Sequence, residues 1–480
     1  MMLHSIVICM ICLTFAQVNG ELDNNNSLQK VVKTSEENPA FSVSLKESGN
    51  FGNAKVKWTS VDINHQNLFN TLDNSLEITK TGIYYLTMTM TLSKTSRASF
   101  SLEKTGRRSG MTTYNQVDGR ESINKRSLHL LTSLNRPYVK QVFTTSGLVG
   151  GNNRETAWAG FHYDTDHYFF GARDEEWEDQ SVIPLPITMA LRGFQKHGNK
   201  LNVLSTGLYF IGFSSAFNAL AESRLTIRSS ESSLRHSIRI HHITRHPIIS
   251  SMSLLANLQA GEDIELQLGS GSLYSDTDLQ TSLTLFKLDS NKSYFYSKGE
   301  KGSTCKPDSI NFGSVKFDSD NSWIPSDQTY VAPKNGTYFI SVNLSFFRKR
   351  ESEEAYIEVN GVKKTTLYKH TFYIIKETPA MGEVLLKMNK GDKLRVVNRG
   401  CEAVITINIH KQLKAFFGST TLSISSVRKW VRQFKGGRTN ILDEDRPGCL
   451  KTASNNENKD RVIALIKDNR RISQAEIFKH

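Results

Sequence analysis

The pattern in Tyr330-Val331-Ala332-Pro333-Lys334-Asn335-Gly336-Thr337-Tyr338-Phe339-Ile340 is the main indication of the fold, because it occurs three times in the chain. The earlier copies read Gly82-Ile83-Tyr84-Tyr85-Leu86 and Gly207-Leu208-Tyr209-Phe210-Ile211, with Leu76 and Leu201 at the place of Tyr330. The glycines lie 125 residues apart (82 to 207) and then 129 residues apart (207 to 336). This period is too long for a solenoid repeat and matches whole domains. The sequence therefore predicts three copies of one domain.

Short runs of alternating apolar and polar residues predict an all-β fold for residues 40–413. Phe41-Ser42-Val43-Ser44-Leu45 is one such run, and Gly, Asn and Ser turns separate the runs, as in β-sandwiches. Each copy closes on a strand-like run, at Ala157–Tyr163, Ser282–Leu288 and Ala403–Ile409. A tight turn built on Gly261 or Gly391 precedes the last two, where glycine supplies a positive φ. We also expect Gly207 to hold a turn with positive φ.

These residues resemble the globular C1q domain, a jelly-roll of the tumour-necrosis-factor-like class. The Gly336-Thr337-Tyr338-Phe339 strand, the opening run Ala40–Leu45 and the stretch Gly271–Asp276 carry the resemblance. Leu76 and Leu201 depart from it. The resemblance implies C1q-like modules over 38–165, 166–290 and 309–413, with a linker at 291–308. A collagen stalk, common in the family, has no counterpart, because no Gly-X-Y series is present.

The resemblance also implies trimers, since C1q-like heads associate through flat apolar faces. Tethering raises the effective concentration of linked modules to about the millimolar range and favours contacts within one chain. We therefore expect an intrachain pseudo-trimer. Trimerisation between three chains and an extended string of separate modules remain the alternatives.

The N-terminus resembles a secretory signal peptide over residues 1–20, followed by a polar leader over 21–37. An apolar run from Ser5 to Ala16 precedes Val18-Asn19-Gly20, whose small residues suit cleavage. The alternative is a buried N-terminal strand. The signal predicts a secreted, extracellular glycoprotein, and sequons at Asn25, Asn291, Asn335 and Asn343 agree with export.

Three cysteines follow the predicted signal. Cys305 and Cys401 bracket the third module and suit a disulfide, although two unpaired thiols are the alternative, and Cys449 is left over. Asp276 and Asp278 lie in a loop where C1q-like heads hold calcium, and their hard oxygen ligands suit that ion. The alternative is a polar turn, because two carboxylates alone make no calcium cage.

Residues 414–480 resemble the helix-turn-helix DNA-binding region of mariner-type transposases. Trp430, Arg438 and Arg446 are the matching residues that imply nucleic-acid contacts. The second helix-turn-helix unit stops before a recognition helix, so the segment is interpreted as a transposon-derived fragment rather than a working DNA-binding domain.

The composition excludes several function classes and favours a binding protein. No nucleophile elbow, phosphate loop or zinc-spaced cluster is present, so we expect no enzyme. A formal net charge of +13 favours anionic partners, although scattered charges also serve as an ordinary solvated surface. The leading hypothesis is a secreted, multivalent recognition protein of innate immunity that binds glycans, microbial surfaces or a receptor. A signalling ligand like tumour necrosis factor and a DNA-binding protein are the alternatives.

Overall fold

The computed structural model describes residues 6–13 and most of 38–399. Gaps in the second range fall at 51–55, 92–99, 105–106, 112–121, 125, 135–139, 143–146, 149–150, 219–222, 231–233, 241–247, 276–280, 299–309, 311, 313, 347–352 and 371–377. Every regular element in the described part is a β-strand, and the prediction of an all-β fold is confirmed. The described part contains no helix with the length and hydrophobicity needed to cross a bilayer.

The first β-sandwich spans residues 40–162 and follows the N-terminal strand β1 (Ile6–Leu13) in the chain. Its strands are β2 (Ala40–Ser44), β3 (Gly49–Asn50), β4 (Ser60–His65), β5 (Phe69–Asn70), β6 (Ser75–Leu76), β7 (Gly82–Met90), β8 (Phe100–Lys104), β9 (Arg107–Met111), β10 (Ser122–Asn124), β11 (Arg126–Leu134), β12 (Lys140–Val142), β13 (Gly147–Leu148) and β14 (Ala157–His162). In its core Phe41 stacks on Phe69, and Trp158 packs edge to face against both rings. The ring centroids of these pairs lie 4.8–6.1 Å apart.

The second β-sandwich begins five residues after Tyr163 and spans residues 168–287. Its strands are β15 (Tyr168–Arg173), β16 (Ile187–Arg192), β17 (Phe194–His197), β18 (Lys200–Val203), β19 (Gly207–Asn218), β20 (Ser223–Ser229), β21 (Arg235–Ile240), β22 (Ile248–Leu258), β23 (Asp263–Ser270), β24 (Ser272–Tyr274) and β25 (Thr281–Lys287). The turn before β23 has φ +90° at Gly261, as predicted.

The third β-sandwich begins at Tyr294, inside the range 291–308 that the sequence suggested as a linker. Its strands are β26 (Tyr294–Lys298), β27 (Ser314–Asp318), β28 (Trp323–Ile324), β29 (Thr329–Val331), β30 (Gly336–Phe346), β31 (Glu353–Val359), β32 (Val362–His370), β33 (Thr378–Met388) and β34 (Lys393–Arg399). The turn before β34 has φ +91° at Gly391, again as predicted. Phe295 opens this sandwich and stacks on Trp323 in a core of its own.

The three sandwiches share one strand order in the sheet that holds the Gly-x-Tyr strand, here named the inner sheet. The order is β4-β2-β14-β7-β11 in the first, β16-β15-β25-β19-β22 in the second and β27-β26-β1-β30-β33 in the third. The middle position holds the last strand of the sandwich in the first two cases. In the third it holds β1, from the N-terminus of the chain. The predicted alternative to a signal peptide, an N-terminal strand, is therefore the arrangement of Ile6–Leu13 in this structure.

Candidate functional site: the axis between the three sandwiches

Three aromatic side chains, one from each Gly-x-Tyr strand, meet in the space between the sandwiches. Tyr85 lies 5.3 Å from Phe210 and 5.4 Å from Phe339, and Phe210 lies 5.9 Å from Phe339, all between ring centroids. Phe161 and Phe286 extend the cluster, with centroids 5.5 Å from Phe339 and 4.8 Å from Phe210. We call these five residues the aromatic layer. Tyr85, Phe210 and Phe339 stand at equivalent places, three residues after Gly82, Gly207 and Gly336, so the cluster has pseudo-threefold symmetry.

The tyrosine of the Gly-x-Tyr repeat directly precedes the aromatic residue that faces the axis, and its side chain packs on the other side of the strand. Side chains alternate across a strand, so Tyr84, Tyr209 and Tyr338 point away from the axis into their own sandwiches. Each hydroxyl donates to the carbonyl oxygen four residues earlier, on Lys80 at 2.5 Å, Ser205 at 2.6 Å and Lys334 at 2.7 Å. Burial raises the pKa of Tyr209 to about 12, so this hydroxyl stays a donor. The tyrosine thus closes the turn before the strand, and the next aromatic is left to face the axis.

Polar side chains form a second layer beside the aromatic one. Glu383 of β33 is 3% exposed, and its carboxylate accepts hydrogen bonds from Thr87 and, at 3.3 Å, from Tyr85. Ser253 of β22 and Ser341 of β30 are bonded through their hydroxyls at 2.5 Å. We call Thr87, Ser253, Ser341 and Glu383 the polar layer. It joins the third sandwich to the first and the second to the third.

The strands of the inner sheets contact one another in cyclic order. β33 of the third sandwich packs against β7 of the first, β22 of the second against β30 of the third, and β11 of the first against β19 of the second. Each sandwich therefore presents one edge of its inner sheet to the Gly-x-Tyr strand of the next. This geometry repeats the same interface three times within one chain.

The two connections between sandwiches converge at one end of the axis. The hydroxyls of Tyr163 and Tyr294 lie 3.2 Å apart, the Tyr163 hydroxyl accepts from the Asp289 amide at 2.8 Å, and the Tyr294 hydroxyl donates to the Asp289 carbonyl at 2.6 Å. Burial raises the pKa of Tyr163 to about 12 and raises that of Tyr294 as well. The connections can be short because the end of each sandwich lies beside the start of the next.

Contacts away from the axis join the first and third sandwiches. The Arg154 guanidinium is held by Asp62 at 2.8 Å and donates to the Lys364 carbonyl at 3.0 Å. The Thr366 amide donates to the Asn153 carbonyl at 3.2 Å. Strand β10 pairs with β32, with Ser122 opposite His370, so one sheet crosses the boundary.

The structure describes only some of the candidate site residues that the sequence indicated. Asn291 and Asn335 are exposed, as a glycan requires. Asn343 is 5% exposed, and its Nδ2 donates to the Ser253 carbonyl at 3.1 Å. The other candidate residues lie outside the described residues: Asn25, Asp276, Asp278, Cys305, Cys401, Trp430, Arg438 and Arg446. Among the described residues no group of three or more His, Cys, Asp or Glu is arranged to hold a metal ion.

The expectation of a positive φ at Gly207 is wrong, and the conformation occurs at its equivalent in the first sandwich. Gly82 has φ +153°, and a Cβ there would stand 2.3 Å from Nε2 of the buried His162. At Gly207 a Cβ would stand 2.4 Å from Cε of Lys287, whose Nζ donates to the Ser205 hydroxyl at 2.7 Å. The shared glycine is thus explained by crowding at both positions and by backbone strain at one.

Comparison with known proteins identifies one of the three sandwiches. Residues 40–162 match the family model described as the C1q domain. The first sandwich is a C1q domain. No curated protein matches the chain. Similar solved structures include murine APRIL at pH 5.0 (15% identity, TM-score 0.22) and the globular domain of zebrafish complement 1qA (13% identity, TM-score 0.22). The first alignment covers 25% of this chain and 98% of APRIL, and the second covers 26% of this chain and 98% of the zebrafish domain.

Proposed function

We propose that this protein is a secreted, non-enzymatic recognition protein whose three C1q-like modules form one trimer-like head within a single chain. The observation that carries the proposal is the meeting of Tyr85, Phe210 and Phe339 at equivalent positions of three sandwiches, the first of which is a C1q domain. C1q domains typically belong to secreted proteins and typically trimerise. Here tethering replaces the association of three chains.

A head of this kind offers three related but unequal outer surfaces to a ligand. C1q-like domains act in recognition and ligand proteins, and the net charge of +13 attracts anionic polymers over distances of about a Debye length. We propose anionic glycans of cell or microbial surfaces as the ligand class. The three modules give multivalent contact with a repeating polymer, and this strengthens weak single-site binding.

The assembly is tested by measuring the molar mass of the secreted protein by light scattering at micromolar concentration. A compact particle with the mass of one chain is expected, and a particle of three chains contradicts the single-chain head. A monomer with the radius of gyration of an extended string also contradicts it. Edman sequencing or mass spectrometry of the same sample reports whether the mature chain starts after Gly20.

The ligand class is tested by binding to surfaces coated with heparin, lipopolysaccharide or neutral mannan. Binding to the first two, weakening steeply between low and physiological salt, is the expected result because exposed charges are screened by salt. Equal binding to mannan contradicts an electrostatic ligand class. Binding to a single receptor ectodomain, with none to any glycan surface, indicates a signalling ligand like tumour necrosis factor instead.

A further inference from the structure

The outer sheet of the second sandwich, which has the strand order β17-β18-β23-β20-β21, carries a row of charged side chains across four neighbouring strands. Arg228 of β20 is opposite Glu265 of β23 on one side and opposite Arg235 of β21 on the other. Directly paired residues share a face of the sheet, so the three side chains line up. Lys200 of β18 extends the line, with its ammonium 3.8 Å from the Glu265 carboxylate. We call these four residues the charged row.

Positive charge exceeds negative charge in the charged row. Three of its residues are cationic and one is a carboxylate, so the balance is +2 (three minus one). Glu265 is 7% exposed and forms an ion pair with Arg228. The side chains of Lys200 and Arg228 are 47% and 44% exposed, and Arg235 is exposed as well. The buried carboxylate therefore anchors cations that remain accessible to a ligand.

The pairing of Arg228 with Arg235 is unfavourable without an anion. Residues directly opposite on neighbouring antiparallel strands have Cβ atoms about 4.5–5.5 Å apart, and like charges at this distance destabilise the sheet. An oxyanion between the two guanidinium groups would offset the repulsion. Each guanidinium presents a planar fork of donors, which fits the paired oxygens of a sulfate or carboxylate group.

The equivalent row of the third sandwich is balanced in charge. Its outer sheet has the order β28-β29-β34-β31-β32, so β31 and β34 stand where β20 and β23 stand in the second sandwich. Glu358 of β31 is opposite Arg395 of β34 and Lys363 of β32, so the ion pair is present with its two charges exchanged. Glu354 binds the Lys363 ammonium, and two cations therefore meet two carboxylates. Of these two faces, the one on the second sandwich is the more attractive to an anion.

A cleft opens beside Lys200. Its volume is about 310 Å³ including the open mouth, and Lys200 and Glu265 line it together with the apolar side chains of Phe169, Leu201 and Ile264. Charged groups alone gain nothing from apolar walls, whereas a sugar ring carries C–H groups next to its charged substituents. The combination of cations and apolar walls therefore favours an acidic polysaccharide over a polyanion without apolar groups.

We propose that the charged row and its cleft bind a linear acidic polysaccharide, with sulfate or carboxylate groups against Arg228, Arg235 and Lys200. The row is about 14 Å long, because its four strands are separated by three gaps of about 4.8 Å. This length holds more than one charged group of an extended chain. The inference rests on the proposed function and deepens it, because it assigns the anionic ligand to one face of the head rather than to the net charge of the whole chain.

Two matched double variants of the full chain test the assignment by their affinity for a short heparin oligosaccharide. Arg228→Gln with Arg235→Gln changes the charged row, and Arg395→Gln with Lys363→Gln changes the equivalent positions of the third sandwich. Each double variant removes two positive charges, and each takes the arginine from a buried glutamate. The first is expected to bind at least about tenfold more weakly than the unaltered protein, and the second less than about twofold more weakly. Equal affinities of the two double variants overturn the proposal.

A single substitution keeps the test valid if the double variants fail to fold. Arg235→Gln leaves the ion pair of Arg228 with Glu265 in place, and a thermal melt checks that the variant is folded. It is expected to bind heparin about threefold more weakly, and the slope of log affinity against log salt concentration should fall by about one. An unchanged affinity and an unchanged slope overturn the proposal.

The chemistry of the ligand is tested with desulfated heparin and with inorganic polyphosphate of equal charge. Heparin is expected to bind at least about fourfold tighter than polyphosphate, which corresponds to the burial of one CH₂-sized group in the cleft. Equal binding of polyphosphate overturns the assignment to a polysaccharide. Binding of desulfated heparin that depends on Arg235 supports the row through carboxylate groups, and its loss supports the row through sulfate groups.

Failure of this proposal is distinguishable from failure of the proposed function. If the unaltered protein binds heparin and both double variants bind it equally well, the anionic ligand class stands and the charged row is overturned as its site. If the unaltered protein binds neither heparin nor lipopolysaccharide at low salt, the ligand class itself is overturned, and the site with it.

Discussion

The aromatic layer and the polar layer of the axis differ in how alike their residues are at equivalent positions of the three sandwiches. The aromatic layer draws its central residues from one repeated position, and Tyr85, Phe210 and Phe339 are interchangeable in shape. The polar layer is built from positions that have diverged. By strand register Glu383, Ser253 and His129 are equivalent, as are Thr87, Gly212 and Ser341. The aromatic layer therefore favours association of any three copies, while the polar layer favours one cyclic order.

The difference shows how a repeated chain specifies an ordered assembly. Apolar contact is non-directional, so the aromatic residues alone do not distinguish one neighbour from another. A buried carboxylate that loses hydrogen-bond donors is costly, and the Glu383 carboxylate accepts from Tyr85 and Thr87 of the first sandwich. Neighbours without these hydroxyls would remove both hydrogen bonds. Specificity here comes from the penalty against incorrect arrangements as well as from the bonds formed in the correct one.

Removing an aromatic side chain from the axis is expected to give the largest effect. Phe339 is fully buried between sandwiches, so Phe339→Ala should lower the free energy of unfolding by about 3–5 kcal/mol. Chemical denaturation measures the loss, and small-angle scattering should show an expanded particle. Phe312→Ala is the control, because Phe312 is buried in the core of the third sandwich itself. It should destabilise without expanding the particle. A near-neutral Phe339→Ala would mean that the aromatic layer is not a contact between sandwiches.

Removing the carboxylate of the polar layer is expected to give an intermediate effect. Glu383→Ala removes the carboxylate that accepts from the Tyr85 and Thr87 hydroxyls and should cost about 1–3 kcal/mol. Glu383→Gln keeps an oxygen that accepts from both and should cost less. Thermal or urea unfolding of the two variants gives the comparison. Equal losses would show that the charge itself, rather than the hydrogen bonds, holds the two sandwiches together.

The repeated glycine gives a similar comparison between the first two sandwiches. Gly82→Ala forces a side chain into a φ of +153° and against the buried His162 ring, and should cost about 1–3 kcal/mol. Gly207→Ala displaces the end of Lys287 and its hydrogen bond to Ser205 without backbone strain, and should cost about 0.5–1 kcal/mol. The difference in melting temperature between the two variants measures this. A larger loss at Gly207 would contradict the assignment of strain to Gly82.

Protonation of His162 is expected to give the smallest effect. Burial lowers its pKa, and the carboxylate of Asp164, 3.7 Å away, opposes this only in part. The unfolded chain therefore takes up a proton near pH 6.5, while the folded chain does so only at lower pH. Stability should fall as the pH drops through this window and level off below the folded pKa. His162→Gln removes the titration, and its unfolding free energy should have a shallower slope between pH 7 and 5. An unchanged slope would assign the pH dependence to other groups.

The repeated pattern in the sequence was enough to predict many strands and turns of this protein before its tertiary structure was known. The alternation around Phe41 and Ile83 indicated the strands, because successive side chains point to opposite faces of a strand. Both strands turned out to be buried on both faces, which the alternation did not predict. The Gly-x-Tyr-aromatic pattern determined three equivalent strands, and Gly261 and Gly391 determined the turns before β23 and β34, because positive φ favours glycine. The C1q resemblance of residues 40–162 followed from the same local patterns.

Other features depended on contacts between residues far apart in the chain. The partners of Glu383, the burial of Asn343 and the conformation at Gly82 depend on which surfaces meet, and no local pattern specifies that. The N-terminal run Ile6–Leu13 is apolar enough for a signal peptide or a strand, and its pairing with β26 and β30 is a long-range contact that the local sequence does not specify. Local sequence fixes what a segment is able to form, and the physical reason that it forms one structure lies in the surface it is buried against.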